Sequence, residues 1–300
     1  MDSFIEPTLE DKLAVASSLI LQAPPGEIND VFNDLRPVVG DDNELETGLL
    51  PALSQYNTEQ LTLVELPNSD LPSMICSAAK VLDSPIDNRY LDPNSSQLFT
   101  FDHLRLCATE VEKFDRLSDN IESFRLELGK KLEEYVQDHF SAGFSSVFSD
   151  RDQYQYQKLS KTKFQLYIVG SKYNPTNYWT GRWRSSYEVD LGSSQIKGNI
   201  QVNVHYYEQG NVQLSTNSNP TVDLTDKKEE LKSTGDSRGI NLIIKSINEI
   251  ETKFQSDINL SYLKLGDDTF KYLRRTLPIT KQKINWNQIH SRVVLNNDKN

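Results

Sequence analysis

The residues best suited to an electrostatic interaction lie close to the C-terminal end of this chain. A stretch without Asp or Glu, residues 269–297, contains six basic side chains: Lys271, Arg274, Arg275, Lys281, Lys283 and Arg292. Residues 269–300 carry seven Lys or Arg against one Asp, a net charge of +6, which leaves −17 on residues 1–268 of a chain whose total is −11. A basic segment attached to an acidic protein is typical of a binding site for an anionic partner.

An amphipathic pattern follows Pro278 within this basic stretch. Pro278 interrupts a helix because it has no N–H and its φ is fixed. Beyond it, Trp286, Ile289 and Val293 recur at helical spacing, with Arg292 off that line. We therefore predict a short basic amphipathic helix, which could lie in a hydrophobic groove of a partner, on an anionic membrane, or against its own domain.

Sequence signatures of catalysis and of metal binding are largely missing. The histidines lie far apart, and no pair has the spacing of metal ligands on one helix: His103, His139, His205 and His290. We find no phosphate-binding Gly-rich loop, Gly-x-Ser-x-Gly elbow or Cys/His nucleophile motif. Cys76 and Cys107 lack Cys-x-x-Cys spacing and indicate free thiols. We expect no enzyme activity, no cofactor and no metal, and we interpret His205 as a structural or surface residue.

Length and composition are those of a folded protein with one or two domains. The 300 residues are 37% hydrophobic and 25% charged. No apolar run approaches the roughly 20 residues of a membrane span, and the first residues lack the basic and apolar regions of a signal peptide. We therefore expect a cytosolic or nuclear protein. Its acidic charge argues against nucleic-acid binding, except through the basic tail.

Three short amphipathic helices are predicted in residues 1–57. Apolar residues recur at helical spacing in Thr8–Leu21, Asn29–Val39 and Glu44–Tyr56. We expect Pro37 to end the second helix early. Short amphipathic helices joined by tight turns indicate a helical bundle.

Small strands and then one long helix are predicted next. Runs of β-forming residues, separated by Pro, Asn, Asp and Ser, predict short strands in residues 58–109, at Leu61–Leu66, Met74–Leu82 and Gln97–Leu104. Apolar residues spaced by threes and fours from Glu110 to Phe140 predict a long helix, which we assign to residues 110–141.

An antiparallel sheet is predicted for residues 142–218. Apolar and polar residues alternate in four segments: Lys163–Tyr173, Trp179–Leu191, Gln195–Glu208 and Asn211–Thr216. Gly210 and Asn211 are typical of a tight hairpin turn. A polar loop, 215–226, and a second long helix follow, and we assign residues 225–268 to that helix and 269–300 to the basic tail.

The densest cluster of aromatic and basic residues lies in the second of these strands. Interleaved Trp and Arg side chains can stack on nucleic-acid bases. On a strand, however, Trp179 and Trp183 share one face, whereas Arg182 and Arg184 share the other. We therefore favour a packed core stripe of tryptophans beside a polar sheet face.

The chain resembles one known family over nearly its full length, the alpha subunit of the heterodimeric F-actin capping protein. Six regions carry the resemblance, in family order: Ala23–Asp34, Leu91–Pro93, Phe101–Arg105, Trp179–Ser185, Val204–Leu214 and Phe270–Trp286. The resemblance implies a non-enzymatic function. Together with a similarly folded beta subunit, such a chain binds the barbed ends of actin filaments and blocks the addition and loss of subunits.

The same resemblance implies a fold and a binding site. The fold is α+β: an N-terminal helical stalk, a central antiparallel β-sheet continuous across the two subunits and covered by a long C-terminal helix, and then a basic amphipathic C-terminal extension. The extension binds actin, principally through Lys271, Arg275 and Lys281. Around them lie the other expected actin-binding residues: Arg274, Lys283, Trp286, Ile289 and Arg292. The family more usually has Arg at the position of Lys281, so this chain keeps the charge but loses bidentate geometry.

The expected partners are an obligate beta subunit, the filament barbed end, and regulators such as phosphoinositides or inhibitory proteins. The expected location is the cortical actin cytoskeleton of the cytoplasm. Because an uncovered sheet edge invites aggregation, we expect the isolated chain to be insoluble or unstable. The alternative interpretation of the tail is a nucleic-acid or anionic-lipid binding module, and binding to filaments, oligonucleotides or vesicles would distinguish the two.

Overall fold

The computed structural model describes residues 7–82, 88–115, 120–149, 162–208, 211–231 and 237–264. The chain divides into two units, Met1–Ile247 and Asn248–Asn300. The described residues combine six helices with antiparallel sheets, which confirms an α+β protein. Among these residues, no helix is long and apolar enough to cross a membrane, and no group of three or more His, Cys, Asp or Glu is arranged to hold a metal ion.

Three helices form the N-terminal bundle, as predicted: α1 (Leu9–Leu21), α2 (Ile28–Val39) and α3 (Asp42–Glu59). Thr8 caps α1 by accepting a hydrogen bond from the Asp11 N–H, and the Asp11 carboxylate accepts one from the Thr8 N–H in return. Gly40, with φ of 85°, ends α2 in the left-handed conformation that glycine tolerates best.

The prediction that Pro37 ends α2 early is wrong. The helix continues to Val39, because Val39 and Leu35 are buried in the bundle core and packing outweighs the backbone hydrogen bond that a proline cannot make. The core of the bundle is built from apolar residues of all three helices: Ala16, Ile20, Leu35, Leu45, Leu49 and Leu53.

Short strands follow, in two small antiparallel sheets. Strands β1 (Leu63–Val64) and β2 (Ser73–Met74) form one sheet. The other sheet has the order β3-β4-β5, with the bounds Arg89–Asp92, Gln97–Asp102 and Cys107–Lys113.

Two predictions in this region are wrong. The strand expected at Met74–Leu82 ends at Met74, because the chain turns at residues 77–79, where it buries Cys76, Ala78 and Ala79 but leaves Ser77 exposed. The helix expected from Glu110 begins only at Asn120, where α4 (Asn120–His139) starts. Residues 107–113 pair with β4 instead, and the positive φ of Glu110, 50°, is incompatible with a right-handed helix.

The main sheet is antiparallel and has the order β10-β9-β8-β7-β6, with β11 paired to β9 beside β10. Its strands have the following bounds: β6 Gly143–Ser149, β7 Lys163–Asn174, β8 Trp179–Asp190, β9 Gln195–Tyr206, β10 Val212–Ser218 and β11 Thr221–Asp223. The four predicted strands are confirmed. Strand β6 was not predicted, and β11 lies where a polar loop was expected.

Helix α4 packs along strand β6 at very short range. An added Cβ on Gly143 would lie 2.5 Å from Val136 Cγ1 and 2.7 Å from Phe140 Cβ. Only glycine fits there, because such distances lie far inside van der Waals contact. The approach of helix to strand therefore depends on Gly143.

Within residues 225–268, predicted as one long helix, the structure describes the short helix α5 (Lys228–Leu231) and the long helix α6 (Arg238–Lys264). Within the first unit, α6 buries Ile240, Ile243 and Ile247. The second unit begins partway along this helix.

Candidate functional site

Every residue predicted to bind actin lies outside the described residues: Lys271, Arg274, Arg275, Lys281, Lys283, Trp286, Ile289 and Arg292. The amphipathic helix predicted after Pro278 lies outside them as well. The described residues do present two features that concern assembly, namely the edges of the main sheet and the junction between the sheet and the N-terminal bundle.

Strand β10 forms one edge of the main sheet. Within the described ranges it pairs with β9 alone, in an unbroken register from Val212 opposite Tyr206 to Ser218 opposite Ile200. Its seven residues, Val-Gln-Leu-Ser-Thr-Asn-Ser, contain no charge and no proline. Monomeric proteins protect sheet edges with charged side chains, prolines or bulges, and β10 has neither a charge nor a proline. The edge at β10 thus has the properties of a strand that pairs with another chain.

The opposite edge, at β6, is protected. The Arg125 guanidinium of α4 is buried and donates to the Val147 carbonyl oxygen at 3.1 Å and to the Pro93 carbonyl oxygen at 3.0 Å. The Glu122 carboxylate, with Oε1 2.6 Å from Arg125 Nη2, balances the charge of the guanidinium group. Arg125 of α4 thus satisfies a backbone acceptor of β6. The β6 edge is therefore covered by a side chain, whereas the β10 edge carries no charge and no proline.

Apolar side chains lie exposed beside the β10 edge. Val212 is 62% exposed and Leu214 46% exposed. Tyr206 stands opposite Val212, and Trp179 opposite Tyr206, so these side chains share one face of the sheet. A contiguous exposed apolar patch usually marks an interaction surface.

The bundle also exposes apolar residues. Helix α1 buries Ala16 and Ile20 but exposes Val15 and Leu19, one turn apart on another side of the helix. The apolar surface of α1 is therefore wider than its contacts with α2 and α3 require.

The arginine face of β8 contradicts the prediction made for it. Arg184 is only 7% exposed, whereas Trp179 and Trp183 are half-buried. Arg184 donates to the Glu59 carbonyl oxygen, and Arg182 donates to the Gln60 carbonyl oxygen at 3.2 Å.

The physical reason is the position of α3, which ends against this face. The last carbonyl groups of a helix lack intrahelical partners and carry a partial negative charge, so that guanidinium groups satisfy them well. Burial, and next the neighbouring Arg182, lower the pKa of Arg184 to about 10. Both arginines therefore act as a cationic cap on the helix bundle.

Further hydrogen bonds join the sheet to the loop between α1 and α2. Thr180 Oγ1 donates to the Pro25 carbonyl oxygen at 2.9 Å. His205, which is buried, lies with Nδ1 2.7 Å from Glu27 Oε1 and with Nε2 3.1 Å from Asn211 Oδ1. These contacts give His205 the structural role predicted for it.

The other candidate residues for chemistry also have structural roles. His103 is buried, with Nε2 3.1 Å from the Tyr90 hydroxyl and 3.2 Å from Ser54 Oγ. Both cysteines are free, as predicted, and burial raises the pKa of Cys76 to about 12, which suppresses the reactive thiolate. His290 lies outside the described residues.

Sequence reasoning missed the difference between the two sheet edges. The absence of charge in residues 212–218 is visible in the sequence, but its meaning depends on knowing that this strand lies at an edge. The arginine cap was missed because the alternation in β8 defines two faces without showing which of them another element covers.

Comparison with protein-family models matches residues 16–297 to the family described as F-actin capping protein alpha subunit. Proteins named F-actin-capping protein subunit alpha are 37% identical over 287 residues in Chaetomium thermophilum, with 94% of each chain covered. They are 36% identical over 280 residues in Gibberella zeae, covering 93% of this chain and 94% of the relative. In Saccharomyces cerevisiae the identity is 32% over 274 residues, with 91% of each chain covered.

A solved structure shares the fold. It is titled as the homodimeric actin capping protein alpha subunit from Plasmodium berghei, and it matches with a TM-score of 0.64 at 24% identity, covering 90% of this chain and 98% of that one. Family model, relatives and fold agree. The chain belongs to the F-actin capping protein alpha subunit family.

Proposed function

We propose that this chain is the alpha subunit of a heterodimeric actin capping protein, which binds the barbed ends of filaments and blocks the addition and loss of subunits. The observation that carries the proposal is the family match over residues 16–297, supported by relatives of the same name that align over more than nine tenths of the chain. The function is binding and not catalysis.

The beta subunit pairs with strand β10 in this proposal. The uncharged edge of β10 supports it, since an antiparallel partner strand would satisfy the outward backbone groups there. The exposed apolar patch that includes Val212 and Leu214 would be covered at the same time. The exposed apolar side of α1, at Val15 and Leu19, supplies a second contact, between the helical stalks of the two subunits.

The arrangement in the heterodimer follows from the family resemblance. Helices α1 to α3 form a stalk, the long helix α6 covers a sheet that continues into the beta subunit, and the basic tail extends from that helix. The domain divisions predicted from the sequence are part of this proposal, except that the small-strand region extends through β5 to Lys113 and is followed by α4.

The basic tail is the actin-binding element. Its net charge of +6 against −17 on the rest of the chain supports this assignment, because a cationic tail on an acidic body orients the molecule toward an acidic partner. Lys271, Arg275 and Lys281 are the principal contacts. Phosphoinositides and inhibitory proteins are the proposed regulators, and the complex resides in the cortical actin cytoskeleton of the cytoplasm.

A nucleic-acid or anionic-lipid module using the basic tail is the alternative, and one binding comparison separates the two. The chain co-expressed with a beta subunit is tested at one ionic strength against short actin filament seeds with free barbed ends, a duplex oligonucleotide, and phosphatidylserine vesicles. We expect binding to seeds in proportion to the number of filament ends. Binding to the oligonucleotide or to vesicles without binding to seeds would contradict the capping assignment.

A further inference from the structure

A polar cleft of about 420 Å³ lies between the end of helix α3 and strands β7 to β9. Arg184 stands opposite Gln201 in the register of β8 and β9. Two residues along β8, Ser186 stands opposite Tyr167 of β7 and Asn199 of β9. Alternate residues of a strand share a face, so these side chains all lie on the bundle side of the sheet. The cleft therefore gathers hydroxyl and amide groups of three strands beside one buried arginine.

The guanidinium group of Arg184 has more donors than the protein uses. Nη1 donates to the Glu59 carbonyl oxygen, and Nη2 donates to Asn203 Oδ1 at 2.6 Å. Nε is buried and has no hydrogen-bond partner among the described residues. Three of the five N–H groups of Arg184 thus have no acceptor in the described part of the chain. A buried donor without an acceptor costs free energy, and more so when the group is charged.

No ion pair balances the positive charge at this cleft. Neither Arg184 nor the neighbouring Arg182 pairs with a carboxylate of a described residue. Burial and then Arg182 lower the pKa of Arg184, and the Glu59 carboxylate, which accepts a hydrogen bond from Gln55, opposes them from a distance. Two guanidinium groups outweigh the charge of Glu59 together with the roughly half negative charge of a helix end. The cleft is therefore a local positive site.

Uncharged polar groups complete the lining of the cleft. Thr58 of α3, Ser186 of β8 and Gln201 of β9 line it, and their side chains form no hydrogen bond with another described residue. Apart from Glu59, no lining residue carries a carboxylate. A hydroxyl group donates or accepts as needed, and an amide offers two N–H donors. Because these residues belong to three elements, they surround a ligand instead of facing it from one side.

We propose that this cleft binds a phosphate group, held by Arg184 together with the Ser186 hydroxyl and the Gln201 amide. Hydrogen bonds from a guanidinium group to phosphate are charge-assisted and roughly twice as strong as neutral ones, which is why arginine recurs in phosphate recognition. A tetrahedral phosphate accepts from several directions at once, whereas a carboxylate has two oxygen atoms in one plane. The volume of the cleft leaves room for the organic group of a phosphate monoester.

This site is separate from the surfaces assigned to actin and to the beta subunit. It lies on β7, β8 and β9, whereas the partner strand is assigned to the outer side of β10. The chain is acidic overall, but charges farther away than about 8 Å are screened at physiological ionic strength, so the nearby arginines decide what binds. A phosphate in the cleft bridges the end of α3 and the sheet, and it stabilises that junction whether or not the chain caps filaments.

The test measures thermal melting of the chain co-expressed with its beta subunit, in sodium phosphate and in sodium chloride of equal ionic strength. A ligand that binds only the folded state raises the melting temperature as its concentration rises. We expect a rise of about 3 °C for each tenfold increase in phosphate above the dissociation constant. Glycerol 2-phosphate forms a second arm. Tighter binding of this compound than of inorganic phosphate supports a monoester as the ligand, and weaker binding supports free phosphate.

Gln201→Glu is the decisive variant, because it keeps the shape of the side chain and places a carboxylate directly opposite Arg184. That carboxylate takes the place of the phosphate as the partner of the arginine. We therefore expect a higher melting temperature in chloride and at least a tenfold weaker response to phosphate. Gln137→Glu makes the same change of charge at an exposed position of α4 and should keep the wild-type response.

Two results would overturn the proposal. An equal response to phosphate in Gln201→Glu and in the wild type, with both complexes folded, would assign that response to other basic residues, such as those of the tail. A response to sodium acetate as large as that to phosphate would exclude the selection of a tetrahedral anion. Isothermal titration calorimetry on the same preparations measures binding directly, and we expect a saturable phase that Gln201→Glu removes and Gln137→Glu retains.

Discussion

The guanidinium of Arg184 in β8 donates a hydrogen bond to the carbonyl oxygen of Glu59 at the end of α3. This contact is one of several between the main sheet and the helical bundle, and it places a buried charge at their junction. The charge is accommodated because the end of a helix carries a partial negative charge and has free acceptors. A charged hydrogen bond therefore helps to fix the position of the sheet relative to the bundle, in addition to side-chain packing.

Replacement of Arg184 tests how much this hydrogen bond contributes to stability. Arg184→Ala leaves the Glu59 carbonyl oxygen without its donor, and we expect the free energy of unfolding to fall by about 1–3 kcal/mol. Arg184→Lys keeps one charged donor and should cost less. Chemical denaturation of the co-expressed complex measures both, with Lys197→Ala, at an exposed position of β9, as the control. Equal stability of the Ala variant and the control would show that the contact is energetically neutral.

Two glycines give a matched test of the packing between α4 and β6. Gly143→Ala places a methyl group 2.5 Å from Val136 Cγ1, and we expect a loss of about 1–3 kcal/mol from the overpacking. Gly129→Ala, within α4, meets nothing closer than Val147 Cγ2 at 3.9 Å, so helix propensity should make it stabilising by roughly 0.5–1 kcal/mol. The melting temperatures of both variants test these expectations. A higher melting temperature for Gly143→Ala would contradict the close approach of α4 to β6.

The β10 edge is tested by introducing the charge that it lacks. Leu214→Lys places an ammonium group in the exposed patch beside the edge, and we expect at least a tenfold loss of affinity for the beta subunit because that charge would be desolvated on pairing. Leu126→Lys, at an exposed position on α4, is the control. Affinity is read from co-purification with a tagged beta subunit across a dilution series. If both variants assemble equally well, the partner does not bind at β10.

The basic tail is tested by removing its three principal charges. Lys271→Ala, Arg275→Ala and Lys281→Ala together should weaken capping by at least tenfold while heterodimer assembly and melting stay unchanged, since the charges act on actin. A control of equal charge removes three exposed lysines from the body, Lys130, Lys197 and Lys227. Dose–response curves in an actin elongation assay compare the two triple variants. Equal capping by both would keep the function and move the site away from the tail.

Periodicity predicted most of the fold because the elements concerned bury one regular face. The helices of the bundle, α4, α6 and the four long strands are such elements. It failed where tertiary contacts decide the conformation. Val111 and Phe114 fit a helical spacing, but residues 107–113 pair with β4 instead. Pro37 stays within α2 because its neighbours are buried.

The site was harder to predict than the fold. Alternation in β8 separates Trp183 from Arg184 correctly, but which face is buried depends on α3, whose end lies 125 residues away from Arg184 along the chain. The exposed edge of β10 is a property of strand order, which no local pattern contains. The tail residues remain a prediction from charge and from family resemblance.

Capping itself is tested most directly by watching single filaments grow from seeds whose two ends are distinguished by microscopy, in the presence of the chain co-expressed with a beta subunit. We expect growth at barbed ends to stop at complex concentrations far below that of actin, while pointed ends continue to grow. Continued growth at barbed ends, with an assembled and folded complex, would contradict the assignment of this chain as a capping protein subunit.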